Sequence, residues 1–226
     1  PGAATRMFQS LHRALDDAGA PWFDWSDRAA KGDRGAAEVV QLVERLDELP
    51  FADELRAAAG EETWSDPRGR LGDLLGALLL PSGLGLGSRP KGLVPFHVEE
   101  EGARTPFEEH LVEAALTVRA ASGRTAVHFT VAEEARASFE ALLERHRPDL
   151  ERRLHARFDV TFSVQERATD TLAVGLDGEP FRTAEGDLLF RPGGHGALLG
   201  NLAAPGGDGV LVKNTDNAVP DARNGP

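Results

Sequence analysis

Asn214, Asp216 and Asn217 stand together in "VKNTDN" (212–217), directly after the apolar alternation of Val210 and Val212. If that alternation is a buried strand of a parallel sheet, Asp216 falls just past its carboxyl end, where ligands of such sheets bind. A carboxylate flanked by amide groups there suits a hard cation such as magnesium, held jointly with substrate phosphates. The same residues also form Asx turns readily, because Asn and Asp side chains bond their own backbone, and the pattern alone leaves both readings open.

Three further stretches could meet a ligand. In "RPGGHGALLGNL" (191–202), Gly193, Gly194 and Gly196 remove side chains just before a helix, so backbone amides could approach a flat base or an anion, with His195 between them. A solvent-exposed loop leading into a helix explains it equally well. "SRPKG" (88–92) sets Arg89 and Lys91, a planar fork and a point charge, at the exit of a glycine-rich loop, where they could meet phosphate oxygens or simply be solvated. "PGAATR" (1–6) offers Gly2, Ala3, Ala4, Thr5 and Arg6 in a small-residue loop leading into a helix, a shape that can hold phosphate at the helix start.

Other chemistries find no support. The pattern G-x-x-x-x-G-K-[ST] is absent, as is the G-x-S-x-G elbow, and "GLGLGSRPKG" does not clearly follow a strand. The chain has no cysteine, and its 7 histidines show no H-x-x-x-H spacing, so thiolate zinc sites, iron-sulfur clusters and transition-metal chemistry are not expected. The carboxylates of "HVEEEG" (97–102) and "PFEEH" (106–110) read as solvated faces. A net charge of -12 argues against nucleic acid as a partner. No apolar run approaches the roughly 20 residues that cross a bilayer, and no leader opens the chain, so the expected address is the cytoplasm.

The elements that must position these residues follow from periodicity. Apolar positions at helical spacing predict helices over 7–17, from Ala36 to Leu49, around Leu55 to Ala59, and through Leu71, Leu74, Leu75, Leu78 and Leu79. "GAPWFDWSDRAAKGDRG" (19–35) reads as a charged, turn-rich connection. After Pro81 come a short strand "LVPFHV", a helix with Phe107, Leu111, Ala115 and Val118 on one side, a strand "TAVHFTV", a helix from Ala135 to His146 and a strand "FDVTFSV". This βαβ succession predicts an α/β fold with parallel strands. Asp177-Gly178 marks a turn in a hairpin excursion before a final helix and strand. Both ends look abrupt, as in a fragment of a longer protein.

Taken in order, "GAATRM", "RPKG", "FSVQ", "PGGHGAL" and "VKNTDN" resemble the loops of the sugar nucleotidyltransferases, particularly the UDP-sugar and UDP-N-acetylhexosamine pyrophosphorylases. Across nearly the whole chain, "GAATRMF", "SRPKGLVPFH", "RTPFEEHL", "HFTV", "FRPGGHGALL" and "VKNTDNAVPD" are similar to a bacterial family known only as domain-of-unknown-function family 4301. The resemblance implies a Rossmann-like GT-A nucleotidyltransferase core with a mixed, mostly parallel sheet, built from residues 1–8 and 81–226. Residues 9–80 would be a mostly helical insertion. Gly2, Ala3, Ala4, Thr5 and Arg6 would line a nucleoside triphosphate, with Lys91 balancing charge where the bond is exchanged and Arg89 beside it. Gln165 and the backbone of Gly193, Gly194, His195 and Gly196 would recognise the base, favouring uracil. Asp216 would hold Mg2+, with Asn214 and Asn217 arranging its shell.

The implied reaction is attack of a sugar-1-phosphate on the α-phosphorus of UTP, releasing pyrophosphate. Two departures stand out: Arg6 and Pro90 are far apart in sequence, and Ala4 replaces a usual glycine. They keep open a non-catalytic domain that binds nucleotide or nucleotide-sugar. A sugar transferase on the same scaffold would be favoured by a D-x-D motif, and "NTDN" offers one carboxylate.

Overall fold

The computed structural model describes residues 4–17, 19–100, 102–203, 206 and 209–220. The chain divides into two compact units, one of Leu111–Lys213 and one of Gly2–His110 with Asn214–Pro226.

The second of these units is mainly helical. A 3-10 turn at Ala4–Arg6 leads into α1 (Gln9–Asp16), followed by α2 (Trp22–Ala30), α3 (Arg34–Glu44), α4 (Ala52–Ala59), α5 (Glu61–Ser65) and α6 (Leu71–Leu79). The helical spacing predicted the apolar faces well: Val39 and Val43 of α3 are buried, as are all five leucines of α6. At about 1.5–3 kcal/mol for each fully buried leucine, α6 is the centre of this core. The core also takes in Ala4, Phe8, Leu86 and Val94.

The segment read as a turn-rich connection folds instead as α2. Pro21 starts it with a fixed φ of -66°. Trp22, Trp25 and Ala29 then fall on one face against the core, while the Arg28 guanidinium lies 4.6 Å from the Trp25 ring centroid. Asp33 ends the connection by capping α3, its carboxylate accepting from Ala36 N–H at 3.1 Å. The charged residues that suggested a loop are the exposed face of α2 and this cap.

The strand expected at "LVPFHV" is shorter than predicted. Pro90 and Pro95 lack the N–H that a ladder needs. Residues Lys91–Leu93 form a 3-10 turn, and only β1 (His97–Glu99) pairs, antiparallel, with β2 (Gly102–Arg104). Next comes α7 (Pro106–Thr117). Its start is a capping box with proline in the first helical position: Thr105 N–H and Oγ1–H donate to Glu108 Oε2 at 2.9 and 2.8 Å, and Glu108 N–H donates to Thr105 Oγ1 at 3.3 Å. Glu108 and Glu109, expected on a solvated face, are buried. Thr105→Ala is expected to lower stability by about 2 kcal/mol, the upper end for caps, because two of these bonds are lost inside the protein; the urea midpoint reads it.

The other unit contains the predicted βαβ motif: β3 (Arg124–Val131), α8 (Arg136–Leu154) and β4 (Arg157–Val164). β3 and β4 are parallel and in register from Arg124↔Arg157 to Val131↔Val164. Phe129 stacks on Phe162 on one face of this pair, with centroids 6.0 Å apart, and polar side chains occupy the other. α8 runs past Pro148 because Leu150 continues the buried face of Phe139 and Leu143. The hairpin excursion forms β5 (Thr171–Leu172) and β6 (Phe190–Arg191), with the bridges Val174↔Pro180 and Arg182↔Leu188 between them and Gly178 at φ 84° in the turn. A 3-10 turn at His195–Leu198 and α9 (Leu199–Ala203) follow.

Among the described residues the sheets are two-stranded, β1–β2, β3–β4 and β5–β6, so the fold is mixed α/β with one parallel pair. No helix among the described residues is long and apolar enough to cross a membrane.

Candidate functional site

The first loop and the P-K-G segment, far apart in sequence, are joined. Ala4 N–H donates to the Arg89 carbonyl at 2.9 Å, and Phe8 N–H donates to the Ala4 carbonyl at 3.0 Å. Arg6 is exposed on the turn so fixed, and Lys91 is half-buried at the start of its own 3-10 turn. Gly2 and Ala3 lie outside the described residues, as does the Thr5 side chain. Ala4 is fully buried and its amide is committed to Arg89, so this amide is not presented to a ligand.

The glycine-rich loop before Arg89 is not a phosphate cradle. Its amides turn back onto the end of α6: Leu84 N–H donates to Ala77 O at 2.7 Å, Leu86 N–H to Leu78 O at 3.1 Å and Gly87 N–H to Leu79 O at 3.2 Å. These are the carbonyls a helix leaves unsatisfied at its last turn. A Cβ on Gly83 would lie 2.1 Å from Ala77 O, so that residue is glycine because backbone meets backbone there. The Arg89 guanidinium closes the loop by donating to Leu84 O at 2.7 Å.

Beside these segments, Met7, Phe8, Phe51, Val94, Pro95, Phe96 and His97 line an open cleft of about 300 Å³. His97 Nδ1 and Glu109 Oε1 are 2.6 Å apart. Glu109 is 1 % exposed, and its Oε2 has no hydrogen-bond partner among the described residues. Burial pushes the Glu109 carboxyl above its ordinary value; the His97 hydrogen bond and charge oppose this without overcoming it, Glu99 adds to the rise and Arg104 offsets it. No spacing rule links a strand histidine to a helix carboxylate twelve residues on, so this pair was not legible in sequence.

In the other unit, Gln165 and Gly193 lie close together. A Cβ on Gly193 would lie 3.7 Å from Gln165 Nε2 and 2.7 Å from Thr169 O, a close approach that only glycine permits. Gln165 Nε2 donates to Thr169 Oγ1 at 3.2 Å, and its buried Oε1 has no partner among the described residues. Gly194 and Gly196 border open space. The His195 side chain lies outside what is described. The adjoining polar face of β3 and β4 carries a network: His128 Nδ1 to Thr161 Oγ1 at 2.7 Å, His128 Nε2 to Ser163 Oγ at 2.8 Å, and Asn201 Nδ2 donating to Ser163 Oγ at 2.7 Å and Val164 O at 3.0 Å.

Burial pulls the His128 imidazole below its ordinary value of 6.5. The unfolded chain therefore binds the proton more readily, and the stability His128 contributes is present above 6.5 and lost as pH falls through the lower native value. From about pH 7 to about pH 5 the protein is expected to lose more stability than its His128→Gln variant, as measured by urea midpoints.

The strand expected before "NTDN" does not form among the described residues. Val210, Leu211 and Val212 are 56 %, 62 % and 60 % exposed and have no ladder partner there, and alternation alone does not make a strand. Lys213 Nζ pairs with Glu113 Oε1 at 2.6 Å. Residues Thr215–Asn217 form a 3-10 turn closed by backbone, Asn217 N–H donating to Asn214 O at 2.9 Å, and no Asn214 side-chain cap accompanies it. Asn214 and Asn217 are exposed, and the Asp216 side chain lies outside what is described. Among the described residues no group of three His, Asp or Glu is placed to hold a metal ion.

A family model described as a domain of unknown function, DUF4301, matches residues 1–225. No curated protein and no solved structure matches the chain.

Proposed function

The chain belongs to the DUF4301 family, and from that premise we propose that it is a nucleotidyltransferase of GT-A type, with residues 1–8 and 81–226 as its α/β core. It would transfer a uridylyl group from UTP to a sugar-1-phosphate with release of pyrophosphate. The observation that carries this reading is the Ala4–Arg89 backbone bond. It supports the reading because two segments with phosphate-binding residue types, Arg6 on one and Lys91 on the other, are held side by side although about eighty residues of chain intervene. The contact of Gly193 with Gln165 supports a base site in the same way.

In this reading Arg6 and Lys91 spread the charge of the triphosphate, and Gln165 with the Gly193–Gly196 backbone takes the uracil edge. Asp216, Asn214 and Asn217 offer the oxygen donors that suit Mg2+, and they are the residues that would hold it. Bound there, the ion would neutralise phosphate charge. Little covalent chemistry is asked of the protein, since positioning and cations supply most of the effect in phosphoryl and nucleotidyl transfer.

The commitment of the Ala4 amide to Arg89 favours a second reading, a domain that binds nucleotide or nucleotide-sugar without turnover. Thermal unfolding of the chain with UTP, other nucleoside triphosphates and UDP-sugars, with and without magnesium, tests both, because a ligand that binds the native state raises its melting temperature. A magnesium-dependent rise selective for uridine ligands is expected. No rise with any nucleotide removes both readings, and a rise without pyrophosphate release leaves the second.

A further inference from the structure

Among the described residues, the cleft beside Phe8, Phe51 and Phe96 has one polar lining side chain, His97. The ring is held in one orientation, because Nδ1 is engaged by Glu109 Oε1 at 2.6 Å, while Phe96 stands edge-on to it at 88°. Nε2 is the nitrogen left over, with no hydrogen-bond partner among the described residues, on a side chain that is 32 % exposed. We propose that this cleft binds a small molecule with an aromatic or otherwise apolar body and one acidic head, the head bonded to His97 Nε2 and the body lying against Phe8, Phe51 and Phe96.

The reason for an acidic head is the carboxylate behind the ring. An ionised Glu109, buried and with Oε2 unbonded among the described residues, is stabilised by the imidazolium form of His97. The imidazolium has a second N–H to give, and an anion on Nε2 completes a line of acid, imidazolium and carboxylate in which both N–H groups are used. The charged groups around Glu109 are Glu99, Arg104 and, one residue earlier on α7, Glu108, which bonds to Thr105; none of them lines the cleft. The other lining side chains among the described residues are apolar, and the rings take the body of the ligand. No residue assigned to the nucleotide enters this argument, so its failure leaves the nucleotide reading standing.

Calorimetric titration of the full chain with naphthalene-2-sulfonate, an aromatic anion, tests the proposal. Saturable binding is expected. His97→Gln is expected to bind it about tenfold more weakly, and Glu109→Gln, which keeps a partner for Nδ1 without the charge, is expected to bind it more weakly than the unsubstituted chain. The uncharged 2-naphthylmethanol is expected to bind at least about tenfold more weakly than the sulfonate. Circular dichroism shows whether each variant is folded. Equal affinity for the alcohol, an unchanged affinity in folded His97→Gln, or no binding by the unsubstituted chain each overturns the proposal.

Discussion

Lys91→Met will keep the chain folded and release pyrophosphate from UTP and sugar-1-phosphate at least about a hundredfold more slowly than the unsubstituted protein, if the chain is the proposed transferase. The ammonium of Lys91 is the point charge nearest in sequence to the Ala4–Arg89 bond, and Pro90 fixes its approach with φ at -56°. Methionine preserves much of the apolar stem of this half-buried side chain and removes the charge. Rates with magnesium present, set beside urea midpoints, separate lost chemistry from lost folding. Asp216→Asn is expected to show a comparable loss. Unchanged rates in both variants remove these two residues from the machinery, and no pyrophosphate from the unsubstituted chain leaves only the binding domain.

Gly83→Ala is expected to cost about 3 kcal/mol of stability, a large part of the about 5–15 kcal/mol that holds a domain together. The new Cβ would lie 2.1 Å from the Ala77 carbonyl oxygen and 2.7 Å from Ala77 Cα. Both are helix backbone, which cannot swing aside as a side chain can. Moving the loop outward instead strains the neighbouring Leu84 N–H bond to Ala77 O, worth about another 1 kcal/mol. Gly85→Ala is the control: its φ of 63° strains any side chain, but the nearest atom is 3.7 Å away, so the cost is about 1 kcal/mol. A Gly83→Ala midpoint within about 0.5 kcal/mol of the original would show that the loop does not pack on α6 as described.

The helices of this chain were legible wherever one apolar stripe meets one core, as in α3 and α6, because period alone then decides the fold. α2 was missed because its charges outnumber the tryptophans that bury its other face. The β3–α8–β4 motif was legible from alternation, while "VLV" at 210–212 has the same alternation and no partner strand, which a sequence cannot announce. Glycines read as freedom in composition, yet those at 83 and 87 are sites of close backbone contact. The T-x-x-E signal at Thr105 and Glu108 was present and marks the helix start that buries Glu109. Of the candidate site, the Ala4–Arg89 bond and the approach of Gly193 to Gln165 were not predicted as contacts; loop order gave only roles at a ligand, through a resemblance. The His97–Glu109 pair depends on where the β1–β2 hairpin folds back, which no local pattern encodes.

The parallel ladder has a consequence in time. Each rung joins residues on opposite sides of α8, as His128 does with Thr161, so no rung closes until a long stretch of chain has been ordered. The helices up to Leu79 leave the ribosome before β3 does. During synthesis β3 therefore waits with Val127, Phe129 and Val131 on one face and an unpaired edge. That interval, which ends when Arg157–Val164 arrives, is when a nascent chain of this protein most needs a chaperone.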